Sequence, residues 1–209
     1  MEIIDLRNES FACNNVPRYP QKVSGAAGGL ISGNIPMICS GSNGYLPDED
    51  YRKCFALKDK KWKHVANLQT ARNHMASVVL NGKLLLSGGW IKWRQATKSS
   101  ELVSEDKSTV TFDLPQPLAH HCIVKINEST ILITGAQRGR PSMKSIFENV
   151  ETGEFTSGPN FNQTRQHGHG CGKFIFKGKP YAIVAFGRVK SVEVLDLQNI
   201  EKGWKIIGT

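Results

Sequence analysis

The stretch His74-Met75-Ala76-Ser77-Val78-Val79-Leu80-Asn81-Gly82-Lys83-Leu84-Leu85-Leu86-Ser87-Gly88-Gly89 decides the fold. Two strand-sized apolar runs flank Asn81-Gly82. That dipeptide is a strong hairpin signal, because a type I′ turn needs positive φ at both central positions. Gly88-Gly89 closes the second run, where the backbone leaves a buried strand and needs unusual φ/ψ. The pattern then recurs. A shift of 46 residues places His74 on His120, Val78 on Val124, Asn81 on Asn127 and Gly89 on Gly135. It also places Leu80 on Ile126, Leu85 on Ile131 and Leu86 on Leu132. Self-similarity with a period of roughly 46–50 residues is the mark of propeller blades, each a small sheet that cannot bury its faces alone.

The rest of the clearest copy reads as a third strand over Ser99–Ser104 and a fourth over Thr109–Phe112. Gln69-Thr70-Ala71-Arg72-Asn73-His74 resembles Gln163-Thr164-Arg165-Gln166-His167, which marks another blade start. Glu2-Ile3-Ile4-Asp5-Leu6-Arg7-Asn8 resembles Glu193-Val194-Leu195-Asp196-Leu197-Gln198-Asn199, a third strand. The reading is one all-β domain over 1–209, with four-stranded blades near 23–65, 72–112, 118–156 and 165–207. Residues 1–8 are left as the outer strand of a partial blade. Closing glycines fall at Gly41, Gly88, Gly135 and Gly187, and aromatics open fourth strands at Trp62, Phe155 and Trp204. Four and a half blades leave an edge open to pairing. The expectation is a piece of a longer chain, ahead of a compact ring of four or five blades or closure through another copy.

These residues resemble the kelch repeat: Arg72, the apolar strand ending at Leu80, Asn81-Gly82, the strand ending at Gly88-Gly89, and the later aromatic of Trp62 and Trp204. The resemblance runs along nearly the whole chain, although the double glycine is intact only at Gly88-Gly89. It implies a kelch-type propeller, commonly a protein-binding or scaffold module such as a substrate adaptor. It also leaves two alternatives: an enzyme of the oxidase or sugar-isomerase type, and an extracellular domain recognising glycans or cell-surface proteins. No cofactor is implied. The copper oxidases of this fold use tyrosine ligands, and Tyr19, Tyr45, Tyr51 and Tyr181 give no match.

The chain has 209 residues, 39% of them hydrophobic and 22% charged, which suits a packed globular domain rather than disorder. Its apolar runs are strand-sized, far short of the about 20 residues needed to cross a bilayer as a helix. The net charge of +9 serves either simple solubility or an acidic partner, which could be a protein, a glycan, a membrane surface or nucleic acid; a protein with an acidic segment is the expectation. The basic residues form no block interleaved with aromatics, so nucleic acid is not the expected partner.

Candidate site residues fall into three groups. Loops after the second strands carry Trp90, Lys92, Trp93 and Arg94, then Arg138, Arg140 and Lys144, then Arg188 and Lys190. Such loops share one face of a propeller, and Trp and Arg dominate binding hot spots. Arg72 and Arg165 precede their strands at matched positions, and serve either this rim or the bracing of neighbouring blades. His167, His169 and Cys171 alternate on one strand as weak metal-ligand candidates, with His120-His121-Cys122 related one blade earlier.

Five cysteines leave the compartment open, with the cytoplasm slightly ahead of a secreted setting. Cys39 and Cys54 lie on neighbouring strands of one blade and form a candidate disulfide. Cys122 and Cys171 read as buried thiols, and Cys13 lies in a loop. Glycosylation sequons occur at Asn8, Asn127 and Asn162.

Overall fold

A computed structural model describes residues 17–44, 49–93, 95–135 and 142–208. The fold is built where turn chemistry and apolar runs agree. The first sheet contains β1 (Ala27–Ile31), β2 (Ile35–Cys39), β3 (Lys53–Lys58) and β4 (Lys61–Asn67). The second begins with β5 (Ala76–Leu80) and β6 (Lys83–Ser87). A small hairpin, β7 (Trp90–Lys92) with β8 (Gln95–Ala96), leaves its loop. The sheet then resumes with β9 (Ser100–Val103) and β10 (Ser108–Val110). The third holds β11 (His121–Lys125), β12 (Thr130–Gly135), β13 (Ser145–Asn149) and β14 (Phe155–Ser157). The fourth holds β15 (His169–Phe176), β16 (Lys179–Phe186), β17 (Val192–Asp196) and β18 (Lys205–Gly208). Each sheet is an antiparallel meander in which the first strand pairs the second, the second the third, and the third the fourth. This all-β arrangement of small sheets is consistent with a β-propeller-like fold. The outer strand expected over 1–8 lies outside the described residues.

The tightest hairpins have the turns their sequences dictate. Leu80 faces Lys83 across Asn81 and Gly82, both in the left-handed region at φ 47° and 71°. Phe176 faces Lys179 across Lys177 and Gly178, at φ 49° and 75°. The third sheet differs. Its turn is longer, and the Asn127 side-chain oxygen accepts N–H bonds from Ser129 and Thr130.

That longer turn corrects the alignment read from the sequence. Leu85 lies in the core between the second and third sheets, with Ile131 and Ile133. Leu132 lies in the next core, with Ala182 and Val184. The residue equivalent to Leu85 is therefore Leu132, not Ile131. A slip of one residue moves a side chain to the opposite face of its sheet. The first strands keep the expected shift, and the second strands are displaced by one more residue.

Three apolar layers lie between successive sheets. Ile31, Met37, Cys39, Leu84, Leu86 and Val103 fill the first. Leu80, Leu85, Leu118, Ile131 and Ile133 fill the second. Leu132, Phe161, Val184, Leu195 and Trp204 fill the third. Burying each such side chain stabilises by roughly 1.5–3 kcal/mol. The linkers entering a sheet also repeat. Trp62 donates its indole N–H to the Pro17 carbonyl at 3.0 Å, and Trp204 donates to that of Pro159 at 3.1 Å. Tyr19 meets Trp62 edge-on, where Phe161 meets Trp204.

Both described disulfides lie inside these layers. Cys39 and Cys54 face each other directly on β2 and β3 and are bonded. Cys122 and Cys171 are also bonded, joining β11 to β15 across two sheets. The expectation of free thiols there is corrected: both residues point into the same inter-sheet layer, so their sulfurs meet. Cys13 lies outside the described residues.

Candidate functional site

The linkers that lead into the first strand of each sheet build the site. The two matched arginines organise them. The Arg72 side chain is 1% exposed and that of Arg165 is fully buried. Arg72 donates to Glu101 at 2.7 Å and to the carbonyls of Gly88 and Ser99 at 3.0 and 2.7 Å. Arg165 repeats the set, donating to Glu193 at 2.7 Å and to the carbonyls of Phe186 and Ser191 at 2.8 and 2.7 Å. Each carboxylate also accepts backbone N–H bonds, Glu101 from Gln69 and Glu193 from Asn162. The backbone of each arginine meanwhile pairs with the preceding sheet's loop, through Gly41 and Ser142 respectively. These arginines brace neighbouring sheets. Their assignment to a binding rim is corrected, because a buried guanidinium whose two terminal nitrogens are engaged has no surface to offer a ligand.

Two residues after Arg72 and Arg165 come His74 and His167, and the equivalent place in the third sheet holds His120. The three imidazoles gather at one end of the stacked sheets. The rings of His74 and His120 lie 4.2 Å apart, and those of His120 and His167 lie 5.6 Å apart. The His74 N–H donates to the Gly25 carbonyl and the His120 N–H to the His74 carbonyl, which links the linkers in sequence. His74 and His120 adopt left-handed φ of 52° and 57°. His74 and His167 are exposed and His120 is half-buried.

The Trp90 backbone exchanges two hydrogen bonds with Asn73, which places the β7–β8 hairpin beside this cluster. The Trp90 ring meets His120 edge-on at 6.1 Å. Trp93 is 73% exposed. Lys92, Arg188 and Lys190 are exposed in the corresponding loops. Arg94, Arg138 and Arg140, also expected on this rim, lie outside the described residues.

The electrostatics follow from burial and mutual repulsion. Desolvation lowers the His74 pKa, and His167 adds to the effect. Desolvation first, then the charges of His74, His167 and His169, pushes His120 down to about 4. Fully buried His121 is pushed down to about 3, mainly by desolvation. The His169 ring has carbonyl oxygens beside both nitrogens, Gln166 at 2.9 Å and Thr134 at 3.1 Å. Burial still lowers its pKa, against the opposing pull of those carbonyls.

The metal candidates do not converge. His167 belongs to the imidazole cluster, His169 is engaged by carbonyls, and the Cys171 sulfur is consumed by its disulfide. Among the described residues, no group of three His, Cys, Asp or Glu side chains could hold a metal ion. No helix among them is long and apolar enough to cross a membrane.

His74 was not legible as a site residue from its local context. Its signal was the period: His74, His120 and His167 recur at the repeat spacing, and equivalent positions in neighbouring sheets meet in space.

No protein-family model and no curated protein matches the chain. Among solved structures, the chain is similar to YjhT, with a TM-score of 0.71 at 14% identity. The match covers 93% of this chain and 68% of YjhT, and it bears on the fold alone.

Proposed function

We propose that this chain is a kelch-type β-propeller module, each four-stranded sheet being a blade. Its work is non-enzymatic: it binds an acidic segment of another protein through the loop-bearing end. The carrying observation is the convergence of Trp90, His74, His120 and His167 at that end, with exposed Lys92, Arg188 and Lys190 in the same set of loops. An aromatic anchor beside hydrogen-bonding rings and a basic rim suits a carboxylate-rich peptide. The test is fluorescence anisotropy with a labelled Glu-rich peptide and its Gln-substituted control. Preferential binding of the Glu peptide, weakened by added salt and by Trp90→Ala with Arg188→Glu, is the expected result. Reversing Arg94, Arg138 and Arg140 to Glu extends the test to the rest of the rim. Equal binding of both peptides, or an intact response in the folded variants, would sink the reading.

The extracellular version of this module is favoured by one specific observation: four cysteines are paired. Disulfides form and persist in oxidising compartments. On this reading, intact-mass measurement after alkylation without reduction gives one modified thiol, Cys13. Five modified thiols would return the protein to a reducing compartment.

A further inference from the structure

We infer that the imidazoles of His74, His120 and His167 form a pocket for a carboxylate of the acidic partner, and that its entry is coupled to proton uptake by the cluster. The inference rests on the binding role proposed above and adds a place and a pH dependence to it.

Three observations carry it. The rings are close enough for one carboxylate to reach more than one of them, at 4.2 and 5.6 Å between centroids. They are also uncommitted: among the described residues, none of the three imidazoles makes a side-chain hydrogen bond. Trp90 walls one side. The backbone beneath is fixed by the linker bonds from Gly25 through His74 to His120.

The third observation is the missing counter-ion. The entering linkers contribute His74 and His167 to the surroundings of His120, the first strands β11 and β15 contribute His121 and His169, and the hairpin contributes Trp90. The nearby charges of Arg72 and Arg165 are already balanced by Glu101 and Glu193. No carboxylate acts on His74 or His120 among the described residues; every charge felt there is another histidine. A proton taken up by this cluster therefore lacks an internal partner, and an incoming carboxylate supplies it.

The sign follows from linkage. A bound carboxylate favours the imidazolium and raises the pKa of His74 and His120 in the complex. Affinity then rises as pH falls through the bound-state pKa. It levels off below the free-state pKa, and falls again once the carboxylate itself protonates near about 4.

The experiment is isothermal titration of the whole chain with the Glu-rich peptide, in two buffers of different ionisation enthalpy, at pH 5.5 and 7.5. The inference predicts net proton uptake and binding up to a few-fold tighter at the lower pH, short of the about tenfold that a pKa displaced by one gives in full, because that factor is reached only below the free-state pKa. His120→Asn abolishes both effects; Asn tolerates the left-handed backbone at this position. Free glutamate at matched carboxylate concentration gives no comparable heat. Peptide binding without proton uptake, unchanged by His120→Asn, overturns the inference and leaves the binding role standing. Absence of peptide binding at either pH overturns both. Glutamate binding with the same proton uptake overturns the choice of a protein segment as ligand.

Discussion

The second and fourth sheets hold their entering linkers with a buried ion pair, and the third holds its linker with hydrocarbon. Arg72 with Glu101 and Arg165 with Glu193 occupy equivalent places. Leu118 and Ile146 stand at the corresponding places of the third sheet, within its apolar layer. The equivalence is fixed by the backbone, since Gly41 donates to the Arg72 carbonyl as Gly89 donates to that of Leu118. One geometric role is thus filled by two opposite chemistries. The arginine version satisfies strand-end carbonyls that would otherwise be buried; the leucine version adds to the core. Buried pairs repay their desolvation only when further hydrogen bonds satisfy both groups, and here the pairs tie the linker that carries His74 or His167 to the strand ends.

The largest effect tests that contrast directly. Arg165→Leu alone leaves Glu193 buried and uncompensated, and should lower stability by about 3–5 kcal/mol in chemical denaturation. Adding Glu193→Ile, which converts the fourth sheet to the pattern of the third, should recover most of the loss. A deficit remains because Asn162 and Gln163 lose their acceptor. A double variant no better than the single would break the comparison.

The seam between third and fourth sheets is also covalent. Removing Cys122–Cys171 by paired Ala substitution should cost about 2–4 kcal/mol. The same change at Cys39–Cys54 should cost less through chain entropy, because it closes 15 residues rather than 49. Denaturation midpoints of the two variants compare them.

The smallest effect concerns the third sheet's own buried acid. One oxygen of Glu148 is buried without a partner among the described residues, and desolvation raises its pKa to about 7. Its folded-state pKa lies above the unfolded value. Stability is therefore complete below about pH 4.5 and declines as pH rises through 7. Glu148→Gln should stabilise at pH 8 and change little at pH 4; the about 3 kcal/mol implied by the shift is a ceiling, because the amide still leaves a polar group buried without a partner. Equal gains at both pH values would mean that ionisation is not the cause.

Much of the fold was legible because its strands are closed by turns with strict demands. Asn81-Gly82 and Lys177-Gly178 specify their own backbone, and the strands around them fall close to where the sequence places them. The Asn127 turn was less legible. Its extra residue is polar like any turn residue, yet it reverses which face Ile131 and Leu132 present. The Cys122–Cys171 bond was hidden for a related reason: matched positions on adjacent first strands show proximity, while bonding depends on both facing one layer. For the site, Trp90 and the exposed loop cations were readable from residue type and loop position. The burial of Arg72 and Arg165 was not, because Glu101 and Glu193 reach them from strands about 30 residues away. His74 became visible as a site residue only once the linkers were placed side by side.

On the proposed function, acidic chains bind at one end of the molecule. Histidine-ring NMR during titration with the Glu-rich peptide tests it most directly. His64 is a control, since its ring is tied to Asn67 on the fourth strand of the first sheet. Progressive, saturable shifts at His74, His120 and His167, with His64 unmoved, are the expected result. Shifts at His64 alone, or none at the three clustered rings while the peptide binds, would contradict it.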